Sequence, residues 1–387
     1  MIEYLDYCQT DAQREAIKAL HECGSQRKAA KALGVSKNAV TQRLDAVKAH
    51  AAKRGYSPEH GLNRPQPDGY ALKGSSALVD ERSGETVLQW YKTDRDKERQ
   101  VELVREMVEE MSQSIPPRKK IKPPTKCVDN LMTVYPMGDP HFGLYCWAAE
   151  VGNDFDLKIA RQDLCNAVRY LVQQSPPSRR GVLVNLGDFF HADNFEGTTA
   201  ASGHILDMDS RMPKMVNEGV LALKTCLDEM LRKHEIVEIV NAPGNHDPIL
   251  GHVLSIMFGH WLANDDRVVV HDKPTWRHYI EHGKVLLGIT HGDKTKDAAL
   301  MGIMATEQPE AWGRTKHRVY MRGHHHHDSR QEYNGGVVEQ FRTLAAGDAY
   351  AVGHGYLSGR DMKCIVYDRE YGEVARWTCG IDILRGS

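Results

Sequence analysis

Beyond residue 127 the chain repeats one pattern five times: a short apolar run stops abruptly at a tip made of Asp, Asn and His. LMTVYPM stops at GDPH, GVLVNL at GDFFH, IVEIVNA at PGNHD, VLLGI at THGD and RVYM at RGHHHH. Short apolar runs bounded by turn-forming residues predict strands buried on both faces. Helical periodicity fills the intervals, as at 156–174 (Leu157, Ala160, Leu164, Ala167, Leu171) and at 213–233. Strands alternating with sheet-covering helices predict a layered α/β domain. Each polar tip then falls at the C-terminal end of its strand, where open α/β sheets place their sites.

The tips carry Asp139 and His141, then Asp188, then Asn245 and His246, then His291, then His324 and His326. Carboxylate, imidazole and amide oxygen together make a mixed N/O donor set, suited to Mn, Fe or Zn and poorly suited to Ca or to thiolate-seeking metals. Seven ligands exceed one tetrahedral site and predict two cations sharing a carboxylate. Such a pair, roughly 4 Å apart, clamps the attacking and leaving oxygens of a phosphoryl displacement. One such residue alone reads as an ordinary loop polar; the same chemistry at five successive strand ends does not.

In this order and spacing, GDPH, GDFFH, GNHD, HGD and GHHH resemble the five motifs of the calcineurin-like metallophosphoesterase superfamily, over about 127–387. The resemblance implies a four-layer αββα sandwich. It also implies one ion on Asp139, His141, Asp188 and His326, and the other on Asp188, Asn245, His291 and His324, with Asp188 bridging. His246 is similar to the family's catalytic histidine, with Asp247 implied to orient it. GDFFH resembles the second motif of SbcD-type DNA repair nuclease subunits, which implies that His191 positions a DNA strand. Among the other histidines, His325 and His327 read as surface or supporting groups, while His354 in VGHGY could face the site. Arg211 is a candidate phosphate contact that also reads as an ordinary solvated arginine.

The first 57 residues read differently. SQRKAAKALGVSKNAVTQRL predicts helix, Gly34 turn, helix, with Ser36 as N-cap. Val40, Leu44 and Val47 face inward against Ala29, Ala32 and Leu33. Lys37, Asn38, Thr41, Gln42 and Arg43 face outward, where a recognition helix meets the major groove. Residues 12–57 hold ten Lys or Arg against three Asp or Glu, the local charge that phosphate binding needs. Residues 58–126 follow as a connector. ALVDERSGETVLQWY predicts a hairpin about Ser83-Gly84. A charged helix over 94–112 has Val101, Val104, Met107, Val108 and Met111 on one stripe. SIPPRKKIKPPTK, with four prolines and five basic residues, is a linker.

Three domains are therefore expected: 1–57 for DNA binding, 58–126 as connector, and 127–387 for chemistry. The combination resembles phage-encoded phosphoesterases and DNA repair exonucleases. It implies a metal-dependent DNA nuclease with two divalent ions, Mn²⁺ first and Fe or Zn next; the other reading is a phosphodiesterase or phosphatase for small nucleotides or phosphoproteins. About 60 residues follow His326, too few for the capping domain of SbcD-type subunits, which argues against a coiled-coil ATPase partner. The 94–112 stripe offers a surface for a homodimer. Net charge is −2, so any preference for nucleic acid must be local. The N-terminus lacks the apolar run of a signal peptide, and the eight scattered cysteines read as reduced thiols, so a cytoplasmic setting without membrane contact is expected.

Overall fold

The computed structural model describes residues 2–54, 56–58, 62–63, 70–79, 86–95, 120–194, 196–199 and 203–386. Its contacts divide the chain into two compact units, Met1–Ser114 and Ile115–Ser387.

In the first unit a 3₁₀ turn, Ile2–Tyr7, precedes α1 (Asp11–Cys23), α2 (Gln26–Ala32) and α3 (Lys37–Lys53). The caps are local and explicit. Thr10 and Gln13 form a capping box on α1, while the Ser25 and Ser36 hydroxyls accept from Lys28 N–H and Ala39 N–H. Ile17, Leu20, Ala29, Ala30, Val40, Leu44 and Val47 form its core. Ala32, expected to face inward, is exposed, and Ala30 takes its place because α2 lasts only seven residues before turning at Gly34. β1 (Tyr56–Ser57) pairs with β2 (Leu62–Asn63), and β3 (Tyr70–Val79) pairs antiparallel with β4 (Thr86–Arg95). The expected turn at Ser83-Gly84 lies outside the described residues. So does most of the expected 94–112 helix; its first two residues belong to β4.

The second unit holds two sheets. The six-stranded sheet is built from β5 (Val128–Met137), β6 (Ser178–Asn185), β7 (Ile236–Asn241), β8 (Val268–His271), β14 (Asp361–Asp368) and β15 (Gly372–Gly380), in the order β15-β14-β5-β6-β7-β8. β5 to β8 run parallel, and β14 and β15 close the far edge antiparallel. The five-stranded sheet, in the order β12-β13-β11-β10-β9, contains β9 (His278–His282), β10 (Val285–Ile289), β11 (His317–Arg322), β12 (Ser329–Tyr333) and β13 (Gly336–Gln340). β13 stops at Gln340, and the chain that follows it to Asp348 is loop.

Period-two alternation explains the layering. Val285, Leu287 and Ile289 of β10 join Val182, Val184 and Val240 of the other sheet in one core between the sheets. Leu286, between them, faces the opposite way onto Leu300, Met301 and Met304 of α8 (Asp297–Glu307) and Ala311 of α9 (Pro309–Arg314). On the outer face of the six-stranded sheet lie α5 (Leu157–Gln174) and α6 (Met212–Leu231), each burying an apolar stripe. The shorter helices are α4 (Ala148–Val151), α7 (Leu250–Trp261), α10 (Ala349–Gly353) and α11 (Ile381–Arg385). The order is helix, sheet, sheet, helix. Among the described residues no helix is long and apolar enough to cross a membrane.

Candidate metal centre

The five polar tips follow directly on the C-terminal ends of β5, β6, β7, β10 and β11, so strand direction alone gathers them. Backbone geometry singles out the same positions. Asp139, His141, Asp188, His324 and His326 have φ of 44°, 47°, 49°, 77° and 58°, and no other non-glycine among the described residues has positive φ. That conformation costs an L-residue about 1–2 kcal/mol, and strain of this kind collects where a site must aim side chains.

The donor atoms converge. Asp139, His141 and His326 form one group whose ligand atoms all lie within 4.8 Å of one another, and Asp188, His291 and His324 form a second. His291 Nε2 lies 2.9 Å from Asn245 Oδ1, 3.2 Å from Asp188 Oδ2 and 3.2 Å from His324 Nδ1. On the other side His141 Nε2 and His326 Nε2 stand 3.1 Å apart. Asp139 is held from behind: both its carboxylate oxygens accept from His324 N–H, and its carbonyl accepts from the Thr343 hydroxyl at 2.6 Å.

Tautomers follow from the partners. A carbonyl can only accept, so His291 Nδ1, 2.9 Å from Leu186 O, carries a hydrogen and leaves Nε2 as the inward atom. Burial pushes the His324 and His326 imidazoles down to about 4, and it drives His141 well below its ordinary value. Near neutral pH these rings are unprotonated, the form that donates to a cation. The carboxylates make the same demand. Burial, joined by the Asp188 charge, lifts Asp139 to about 7. Burial also opposes ionisation of Asp188, but the His291 imidazolium beside it holds it well below the usual range. His291 is itself pushed up to about 10: burial lowers it, and the Asp188 and Asp139 charges outweigh that. One imidazolium thus faces two buried carboxylates. The donor set fits divalent cations, which supply positive charge to the same atoms.

Around these groups two expectations need correction. Asp247 was expected to orient the His246 ring. Instead its fully buried carboxylate accepts from Asp188 N–H (3.1 Å), Phe190 N–H (3.0 Å) and Gly244 N–H (3.0 Å). The His246 ring donates through Nδ1 to His191 O at 2.9 Å, and its main-chain N–H reaches Asp188 Oδ1 at 2.7 Å. His191 was expected to position a DNA strand. It is 2% exposed, lies with Nδ1 3.3 Å from His141 Nδ1, and stacks under His246 at 5.3 Å and 19°. Its ring is packed beneath the two imidazoles and has no surface to offer a strand; burial pushes it down to about 3.

His325 and His327 are exposed and stacked on each other, and Arg211 is exposed. His354 is exposed and lies among tyrosines. On α3, Lys37, Asn38 and Gln42 are exposed. Arg43 is half-buried, and the Thr41 hydroxyl is spent on Gln26 Oε1 (3.0 Å) and Lys37 O (3.0 Å), so it pins α2 to α3 and is not free to meet DNA.

Sequence reasoning also missed three supporting groups. Asp193 accepts from Ile249 and Leu250 N–H (2.8 and 2.9 Å), tying the His191 loop to α7. Arg322, buried below His324, pairs with Asp297 of α8 at 2.7 Å. Thr343 supports Asp139. Only Asp193 carried a signal, two residues after His191 in HADN.

No family model matches the chain, and no curated protein matches it in sequence. Among solved structures it is similar to a phosphoesterase from E. coli, Yfce (14% identity, TM-score 0.31, 64% of this chain and 98% of that one). It is also similar to Vps29 complexed with zinc from Entamoeba histolytica (12%, 0.27, 64% and 99%). A third is a 5'-nucleotidase from Candida albicans (9%, 0.33, 68% and 54%). At such scores the likeness carries no argument, and the chemistry rests on the side chains described above.

Proposed function

We propose that this chain is a divalent-metal-dependent phosphodiesterase acting on DNA, a nuclease of the exonucleolytic kind. The observation that carries the reading is the meeting of two three-residue donor groups, Asp139/His141/His326 and Asp188/His291/His324, with Asn245 at the second. Those residues would hold the two ions, Mn²⁺ first and Fe or Zn next, with Asp188 shared. Bound there, the ions supply Lewis acidity to phosphoryl oxygens and raise the acidity of water.

The chain's own residues do the rest. His246 keeps its Nδ1 hydrogen on His191 O, which leaves Nε2 to carry the proton given to the leaving oxygen. His191 supports that ring from below. Asp247 locks the two loops that present Asp188 and Asn245. The preference for DNA is supported by the basic stretch 12–57, whose Lys28, Lys31 and Lys37 are exposed.

The test is degradation of end-labelled single- and double-stranded DNA with Mn²⁺, alongside bis-p-nitrophenyl phosphate. Turnover is expected to vanish with chelator and in Asp188→Ala. In His246→Ala the rate should fall by about 10²–10⁴ with metal content by elemental analysis unchanged. Wild-type rates in either variant would show the centre to be misassigned. Turnover of the small diester with DNA untouched would move the substrate to small nucleotides.

A further inference from the structure

Single exposed apolar side chains are normal on any protein. Five of them on two adjoining loops are not. Tyr145 (47% exposed) and Trp147 (59%) lie on the loop that leaves His141; Tyr350 (66%), Tyr356 (64%) and Leu357 (80%) lie on the loop that follows Thr343. The exposed imidazole of His354 lies among them. The loops are bound to each other and to the centre. Gly138 bridges to Thr343, whose hydroxyl holds Asp139 O, and Cys146 Sγ donates to Gly347 O at 3.6 Å. Helix α10 then packs beside α4.

The rings are arranged, not scattered. Asp348 caps α10 by accepting from Ala351 N–H at 2.7 Å. His354 Nδ1 donates to Tyr350 O at 2.8 Å, which fixes the imidazole over Tyr350 with centroids 4.1 Å apart and planes 34° apart. Gly355, at φ +75°, turns the chain so that Tyr356 lies near-parallel to His354, with centroids 5.8 Å apart and planes 16° apart. A side chain other than glycine would adopt that turn only under strain. The result is a cluster of three rings about His354, in which Tyr350 and Tyr356 are each more than half exposed. Clustered rings this exposed fit a flat aromatic ligand. Beside a phosphodiester centre, the substrate's own flat aromatic part is a nucleobase.

We propose that Tyr350, His354 and Tyr356, with Trp147 beside them, form a platform on which an unpaired nucleobase of the substrate stacks. This rests on the phosphodiesterase reading and sharpens it: the strand entering the centre is unpaired there. Stacking of a base on an aromatic side chain contributes about 1–3 kcal/mol, which corresponds to roughly five- to hundredfold in affinity.

The experiment uses the full chain with fluorescent single-stranded 12-mers, one of thymidines and one abasic with the same phosphates, read by anisotropy. Hydrolysis is followed separately, and a dithymidine phosphodiester is included. Wild type is expected to bind the thymidine strand at least fivefold more tightly than the abasic one. Tyr350→Ala combined with Tyr356→Ala should remove that difference and leave abasic binding unchanged, while the paired Tyr→Phe substitutions retain it. Loss for the 12-mer alone points to a strand ligand; loss for the dinucleotide as well points to a single base. Equal wild-type affinity for both strands overturns the platform. So does an equal loss on both strands in the alanine variant, or a change of oligomeric state in that variant with base discrimination intact, which marks a protein contact. Base discrimination without hydrolysis of any substrate would sink the phosphodiesterase reading and leave the platform standing.

Discussion

Asp247 and His246 are chain neighbours at the same strand tip, yet the structure gives them unlike work. The His246 ring is half-buried and touches the centre through one edge, while the Asp247 carboxylate never reaches it. Asp247 instead satisfies three buried N–H groups drawn from the loops after β6 and β7. Leaving a buried donor unpaired costs about 1–3 kcal/mol. Asp247→Ala is therefore expected to lower stability by about 3 kcal/mol or more, seen as an earlier urea midpoint, and to lower metal content with it. His246→Ala, by contrast, should unfold near the wild-type midpoint. An Asp247→Ala protein with wild-type midpoint and full metal content would show that the three N–H groups find other partners. The resemblance of the GNHD motif implied that Asp247 orients His246. Direction of a side chain is not a sequence property when the backbone turns sharply, and here the chain turns right after β7.

Between strands and helices, two glycine tips come up close against carboxylates. A Cβ placed on Gly323 would run into the Asp139 carboxylate, and one on Gly244 into Asp188 and its main-chain N–H. Gly302, inside α8, has open space around it. The same substitution should thus act in opposite directions. Gly302→Ala is expected to stabilise by about 0.5–1 kcal/mol through helix propensity, whereas Gly323→Ala should displace Asp139 and cut metal content and turnover together. Calorimetry and elemental analysis of the two variants check this; a Gly323→Ala protein with full metal content would refute the close approach. The glycines were visible in the sequence as GDPH, GNHD and GHHH, and so were the strands before them, since fully buried strands read as unbroken apolar runs. β9 was not: HYIEH alternates, its inward Ile280 is one residue among histidines, and edge strands carry little periodic signal. β12, exposed along most of its length, gave none. The ring cluster at α10 was equally silent, because VGHGY shows two glycines, a histidine and a tyrosine but not which rings the turn at Gly355 brings together.

At the scale of the whole chain, basic residues concentrate in one stretch, 12–57. The chain carries −2 overall, while residues 12–57 hold ten basic and three acidic residues, so α1 to α3 of the first unit carry a local positive charge on a chain with none globally. Phosphate contacts made by those helices release counterions, and each one lost should reduce the salt slope of duplex DNA binding by about 0.9. Lys28 and Lys37, exposed on α2 and at the start of α3, are the side chains to reverse. Lys28→Glu combined with Lys37→Glu is expected to raise the KM for duplex DNA and to flatten its dependence on salt. Turnover of bis-p-nitrophenyl phosphate should stay at the wild-type rate, because no catalytic side chain lies in that unit. The contrast between the two substrates is what makes the test informative. If both rates fall together, the first unit supports the fold of the centre and does not hold DNA. If neither moves, the basic stretch serves another anion, and the DNA must be gripped wholly by the unit that carries the metals.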